Sequence, residues 1–149
     1  MLIIGAFSFW KLQNDLFRLL SCTIFSERCF KGVIDIIWFK RDLRWVDHQP
    51  LHEAVSSGNP SISFFMVEPE LVDSVHYSNR HWKFMLECAE ELKKEFDKNE
   101  KSFYILEGKV LDFLQLIKEL YGSIRLLSHM ETGIDITFQR DKAVRRWCS

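Results

Sequence analysis

The chain has 149 residues, of which 47% are hydrophobic and 28% charged. That length and balance fit one globular domain with a real core, and they exclude a disordered tail, a collagen-like chain or an acidic solvating segment. Twenty Lys and Arg against 21 Asp and Glu leave a formal charge of −1, so charge alone calls for no nucleic-acid surface.

In chain order, residues 1–31 differ from the rest. Met1–Trp10 is an apolar run cut by Lys11, with no charge before it and no small-residue cleavage site near Ser26–Arg28, unlike a secretory signal. Arg18 and Arg28 are accompanied by Asp15 and Glu27, whereas transit peptides are Arg-rich and poor in acids. Three readings stand: upstream sequence translated from too early a start, an amphipathic extension with a helix over Asn14–Leu20, or a targeting segment. Residues 1–31 are therefore read as an extension and 32–149 as the domain.

From Gly32 the pattern is regular. Val33–Phe39 is apolar and β-branched apart from Asp35 and reads as a buried strand. Asp47 and Pro50 open a short helix with Leu51, Ala54 and Val55 on one face, closed by Gly58-Asn59-Pro60. Ser61–Val67 is a second strand, stopped by Pro69. Ser78 caps the longest helix, whose stripe is Trp82, Met85, Leu86, Ala89, Leu92 and Phe96. Asp97–Lys101 is a polar loop and Ser102–Leu106 a third strand. Gly108 leads into a helix with Val110, Phe113, Leu114, Ile117 and Leu120 on one face, ended by Gly122. Ser123–Leu127 is a fourth strand and Asp135–Cys148 a last helix. This alternation predicts an α/β fold, a Rossmann-like parallel sheet flanked by helices, with ligands at the carboxyl ends of the strands. Because the chain stops on a helix, the sheet is expected to lack its last strand.

Cys22, Cys29, Cys88 and Cys148 form no C-x-x-C pair and no zinc spacing, and read as reduced thiols of a cytoplasmic protein. No apolar run approaches the ~18 residues of a spanning helix, so no membrane partner is expected. The five histidines show no metal-like grouping along the sequence, and no nucleophile–base spacing marks a catalytic residue.

The loop after the first strand, W-F-K-R-D-L-R-W-V-D-H-Q-P-L (Trp38–Leu51), carries Lys40, Arg41, Arg44, Asp42 and Asp47. It has no glycine, so it is neither a Walker loop nor a dinucleotide fingerprint. Two readings remain: an internal ion-pair cluster, or a site for an anionic or polar flat ligand or a docking domain.

W-F-K-R-D-L-R followed by D-x-x-P-L resembles the opening of the DNA photolyase/cryptochrome family. Val67-Glu68-Pro69, Ser78–Phe84 (SNRHWKF) and Ser128–Asp141 (SHMETGIDITFQRD) with Val144 and Trp147-Cys148 resemble, in order, its strand-two ending, its S-x-R-x-x-F segment and the E-T-G, T-F-x-R-D and V-x-x-W-C stretch of a bacterial photolyase-like subgroup. The resemblance covers Val33–Ser149 and none of residues 1–31.

The resemblance implies an N-terminal α/β domain that can hold an antenna pigment (folate, deazaflavin or flavin). A helical domain beyond it would bind FAD and damaged DNA and carry out light-driven repair of pyrimidine dimers or blue-light sensing. That helical domain is not in this sequence, so the expectation is a fragment, inactive in repair alone, that associates through an exposed sheet edge. The alternatives are a stand-alone nucleotide- or flavin-binding module and a non-functional truncated product. Position by position, Phe39, Lys40, Arg41, Val67, Glu68, Glu131 and Thr132 are the implied antenna contacts. Asp42, Arg44, Arg80, Arg140 and Asp141 are the structural or interdomain residues, and Trp38, Trp82 and Trp147 belong to the core or an interface. With Arg41 and Asp42 leaving a buried strand, replacing Arg41 is expected to lower stability strongly.

Overall fold

The computed structural model describes residues 32–149; the expectations for residues 1–31 lie outside them. Four strands form one parallel sheet: β1 (Ile34–Phe39), β2 (Ser61–Val67), β3 (Phe103–Glu107) and β4 (Ile124–Leu127), in the order β3-β2-β1-β4. Five helices connect or follow them: α1 (Gln49–Ser57), α2 (Pro69–Val72), α3 (Asn79–Lys98), α4 (Val110–Tyr121) and α5 (Asp135–Cys148). The α/β architecture matches the expectation, with strand ends moved by a residue. Val33, 38% exposed, falls outside β1.

Alternation of side chains across a strand explains why β1 and β2 are almost wholly buried. Ile34, Ile36 and Trp38 of β1, with Ile62, Phe64 and Met66 of β2, pack under α4 through Phe113, Leu114 and Ile117. The opposite parity, Ile37, Phe39 and Phe65, meets α1 and α3 through Ala54, Trp82, Ala89, Leu92 and Phe96. Each face thus has its own core. On the second, Phe39 meets Phe96 and Phe103 edge-on at ring separations of 5.8 and 5.4 Å.

Asp35, which breaks the apolar run, is fully buried yet satisfied. Its carboxylate accepts from Arg125 Nε and Nη2 at 2.8 and 2.6 Å and from Ser57 Oγ at 2.6 Å. The pair ties β1 to β4 where Asp35 and Arg125 lie in register. Burial would raise this carboxyl's pKa, but the bonds from Arg125, Ser57 and Asn59 hold it below the usual carboxylate range.

Several local expectations are corrected. The cap of α1 is His48, whose side chain accepts from Leu51 N–H; Asp47 instead sits at φ 54° in the loop before it. Val55, Leu86 and Leu120, placed on apolar faces, are 68, 36 and 38% exposed, because a 3.6-residue repeat defines a stripe wider than the contact it fills. The helix α3 runs through Lys98, taking in Asp97 and Lys98 of the expected loop. The short α2 is unexpected; it follows Pro69, which suits a helix's first turn as well as a strand's end. Ser78 caps α3 as expected, accepting from His81 N–H. Gly58 closes α1 at φ 70°, a left-handed position that favours glycine.

Strand β1 is flanked by β2 on one side and β4 on the other, although β4 comes last in the chain. The order therefore reverses between β1 and β4, and a crevice is expected beyond their carboxyl ends.

Candidate functional site

That crevice is where the charged loop of β1 meets the segment after β4 and the middle of α5. Lys40, the first residue beyond β1, has a side chain only 5% exposed. Its Nζ donates to the His129 carbonyl at 2.7 Å and to Asp141 Oδ2 at 2.6 Å, and stands 4.1 Å from the centre of the Trp38 ring. Burial pushes its pKa down, against the opposing pull of Asp141.

Arg140 lies on the same ring, its guanidinium carbon 4.7 Å from the centre. It donates to Glu68 Oε2 at 2.5 Å, to Glu131 Oε2, and to Asp141 Oδ1 at 3.2 Å. Arg41 Nε donates to the other Glu131 oxygen at 2.6 Å, and the Glu131 N–H donates to Asp141 Oδ2 at 3.0 Å. Three cations face three carboxylates, so the cluster is neutral. Burial raises the Glu68 carboxyl above its usual range despite Arg140, whose own pKa is raised because the three carboxylates outweigh its burial.

Beside this network lies a second one centred on Asp42. Its Oδ1 accepts from the Lys40 N–H at 2.8 Å; its Oδ2 contacts His48 Nε2 at 2.9 Å and His129 Nδ1 at 2.5 Å. The His48 side chain is fully buried and stacked on Phe39, ring centres 4.3 Å apart. Its Nδ1 accepts the Leu51 N–H at 3.2 Å, so its ring proton belongs on Nε2, donated to Asp42. Burial would raise the Asp42 pKa, but the bonds from His48, His129 and Lys40 N–H hold it well below the usual carboxylate range.

This corrects one reading of the sequence. The ligand atoms of Asp42, His48 and His129 lie within 4.8 Å of one another, a metal-like grouping that spacing did not reveal. The hydrogen bonds nevertheless define its chemistry. A cation on His48 Nε2 would drive the proton to Nδ1, against the Leu51 N–H, and undo the cap of α1. The trio suits a hydrogen-bonded lock joining β1, α1 and the loop after β4.

The sequence-predicted residues divide accordingly. Lys40, Arg41, Glu68, Glu131, Arg140 and Asp141 converge. Phe39 is buried on the other face of the sheet, against His48, Phe96 and Phe103, and Val67 is half-buried at the end of β2. Thr132, Arg44 and Arg80 are exposed; Arg44 Nε reaches only the Asp47 carbonyl at 2.9 Å, and Arg80 makes no hydrogen bond or ion pair among the described residues. Arg41, expected as a buried charge, has a side chain 45% exposed. It leaves the sheet at a crevice mouth, where water reaches one side of the guanidinium.

A cleft of about 280 Å3, much of it open to solvent, adjoins the cluster, with Arg41, Glu131 and Arg140 on one side and Leu71, Tyr77, Trp82 and Met85 on the other. The cleft is shallow and partly open, so a flat molecule would lie across its mouth. Trp82 is 6% exposed and its indole N–H finds no acceptor among the described residues. Tyr77 packs against it at 5.3 Å between ring centres, and burial raises the Tyr77 hydroxyl pKa. Tyr77 and the Trp82 N–H were not legible as site groups: Trp82 falls on the apolar stripe of α3, and Tyr77 lies in an unpatterned loop.

A protein-family model described as DNA photolyase matches residues 35–149. The chain is 30% identical over 112 residues to the chloroplastic/mitochondrial cryptochrome DASH of Arabidopsis thaliana, covering 71% of this chain and 20% of that protein. It is 27% identical over 119 residues to cryptochrome-1 of Gallus gallus, covering 79% and 19%. The chain thus spans about a fifth of the length of the curated relatives it matches. Among solved structures, it resembles an archaeal photolyase from Sulfolobus tokodaii, described with two FAD molecules and the implication of a novel light-harvesting cofactor. The TM-score is 0.65 at 22% identity, covering 78% of this chain and 27% of that one. A class III photolyase from Agrobacterium tumefaciens gives 0.60 at 19% identity, covering 82% and 24%.

Proposed function

The chain belongs to the DNA photolyase family, and from that premise we propose that it is the antenna-type α/β domain of a photolyase- or cryptochrome-like flavoprotein. The whole protein would act in light-driven repair of pyrimidine dimers in DNA or in blue-light sensing, and work in the cytoplasm. The domain's part is to hold an antenna pigment (folate, deazaflavin or flavin) at the carboxyl ends of β1, β2 and β4. A bound pigment supplies absorption of near-UV or blue light.

The observation that carries this reading is the cleft beside the ion cluster. It lies beyond the carboxyl ends of β1 and β2, and it is lined by the aromatic rings of Tyr77 and Trp82 on one side and by Arg41, Glu131 and Arg140 on the other. Glu131 and Arg140 form the floor on the charged side, and Lys40, bound to Asp141, holds that floor to β1. The cleft is shallow and open on one side, so a pigment would lie across its mouth, and no step is assigned to FAD in this domain. The exposed Arg44 and Arg80 are offered to a neighbouring helical domain in the whole protein.

The test is a titration of the full chain with FMN, a deazaflavin and a reduced folate, read by tryptophan fluorescence and equilibrium dialysis. Saturation by one of them at one molecule per chain supports the reading. Absence of saturable binding by all three at hundred-micromolar concentration contradicts it.

A further inference from the structure

Strand β4 is one edge of the sheet, next to β1. In a parallel ladder alternate residues turn their N–H and C=O to one neighbour, and the residues between turn theirs to the other side. Ile34 N–H donates to the Ser123 carbonyl at 3.1 Å, and Ile34 lies in register with Ile124. The N–H groups of Arg125 and Leu127 therefore face β1, and the N–H and C=O groups of Ile124 and Leu126 point off the edge. Those outward groups have no partner among the described residues. The side chains tell the same story: Ile124, Leu126 and Leu127 are only half-buried, whereas β1 is buried along its whole length. An open edge of this kind is a template for one more strand.

The sequence ahead of Gly32, outside the described residues, contains a run suited to that place. Ser21-Cys22-Thr23-Ile24-Phe25 has β-branched and aromatic residues and neither Gly nor Pro. Its alternation sets Cys22 and Ile24 on one side and Thr23 on the other. In β4, Ile124 and Leu126 likewise face the core under α4, while Arg125 turns the other way, to Asp35. Residues 26–33, eight in number, join the run to β1 and include Glu27, Arg28, Lys31 and Gly32, a composition suited to a turn. Fully extended they reach about 26 Å; crossing over the end of β4 takes two strand spacings, about 10 Å. The far edge, β3, is separated from β1 by β2 as well. A run that ends beside the start of β1 lies antiparallel to β4, and an antiparallel edge strand on a parallel sheet is a common arrangement. We propose that residues 21–25 pair with β4 and cover this edge, so that the segment before β1 supplies the sheet with a fifth strand.

The experiment is amide hydrogen exchange on the full chain, read residue by residue by NMR. The Arg125 and Leu127 amides, which face β1, report in the same sample that the sheet is folded. Ile24→Pro removes a ladder donor from the run. It should speed exchange at the Ile124 and Leu126 amides by about tenfold or more, while Arg125 and Leu127 change by less than about threefold. Ile24→Asp, which keeps every backbone donor but places a charge against the apolar side of β4, should act in the same direction, and Lys11→Pro, outside the run, should change none of these amides. Exchange of Leu126 in the wild-type chain at the rate of an exposed amide, or protection that survives both Ile24 variants, overturns the proposal. Protection that survives them and rises with protein concentration also overturns it, and assigns the edge to a second copy of the chain.

Discussion

Replacing Asp42 by alanine should destabilise the domain far more than replacing Arg41, although the two are adjacent and both charged. Asp42 receives three hydrogen bonds, from Lys40 N–H, His48 and His129, and its side chain is 15% exposed. Removing it leaves the fully buried His48 ring with an unpaired Nε2–H. It also loosens the ring that accepts the Leu51 N–H at the start of α1. A buried donor left unsatisfied costs about 1–3 kcal/mol, and a lost helix cap about 0.5–2 kcal/mol. Together they give about 2–5 kcal/mol for Asp42→Ala. Total stability is typically ~5–15 kcal/mol, so much of the chain could be unfolded at room temperature. Arg41 is half-exposed, and its partner Glu131 keeps Arg140 when Arg41 is lost. Exposed pairs contribute about 0–1 kcal/mol, and Arg41→Ala should cost no more than that. Urea unfolding of the full chain, followed by tryptophan fluorescence, gives both values. A loss under 1 kcal/mol for Asp42→Ala, or an Arg41→Ala loss equal to it, would refute the reasoning.

Other outcomes follow from the same contacts. Asp35 and Asp42 both have folded-state pKa values below the unfolded carboxylate value of about 3.9. Their stabilisation is complete above that value and is lost as pH falls below it, because the unfolded chain takes up protons first; the urea midpoint should drop below about pH 4, less steeply in Asp35→Asn. Glu68 has the opposite sign, its pKa raised chiefly by burial, and Arg140 keeps Glu131 and Asp141 when Glu68 is changed, so Glu68→Gln should cost no more than about 1–3 kcal/mol; a larger loss of melting temperature than in Asp42→Ala would contradict this. Phe39→Ala empties a site packed by Phe96, Phe103 and His48, and should cost about 3–5 kcal/mol by chemical denaturation. Phe84 and Val75 are 65 and 97% exposed; if such apolar surface drives association, Phe84→Asp should lower the weight-average mass at micromolar concentration by sedimentation equilibrium, with stability changed by no more than ~0.5 kcal/mol.

The order of elements was legible because each carries its own period. The β-branched run of β1, the apolar run of β2, and the stripes of α3 and α4 do not depend on what they touch. The reach of those stripes was not legible: Val55 and Leu86 continue a helical repeat past the point where a neighbour covers it. At the site, residue types were visible in the β1 loop and the segment after β4, and the resemblance to the family placed them near one another. What could not be read was how they divide. Lys40, Arg41 and Asp42 are consecutive, yet one is buried on Asp141, one half-exposed on Glu131, and one locked to two histidines. That division depends on where a loop some 90 residues later crosses the end of β1. His48 and His129 show the same limit, since no local spacing announces that they share one carboxylate. The indole of Trp82 fits the apolar stripe so well that its unsatisfied N–H has no sequence signal at all.

The pigment site itself is tested most directly by the stoichiometry of binding to the full chain, measured by equilibrium dialysis with FMN, a deazaflavin and a reduced folate in turn. The account predicts saturation at one molecule per chain by at least one of them, with tryptophan fluorescence quenched in parallel and binding weakened by Trp82→Phe. Failure of all three to bind saturably, in a chain shown to be folded, would contradict it.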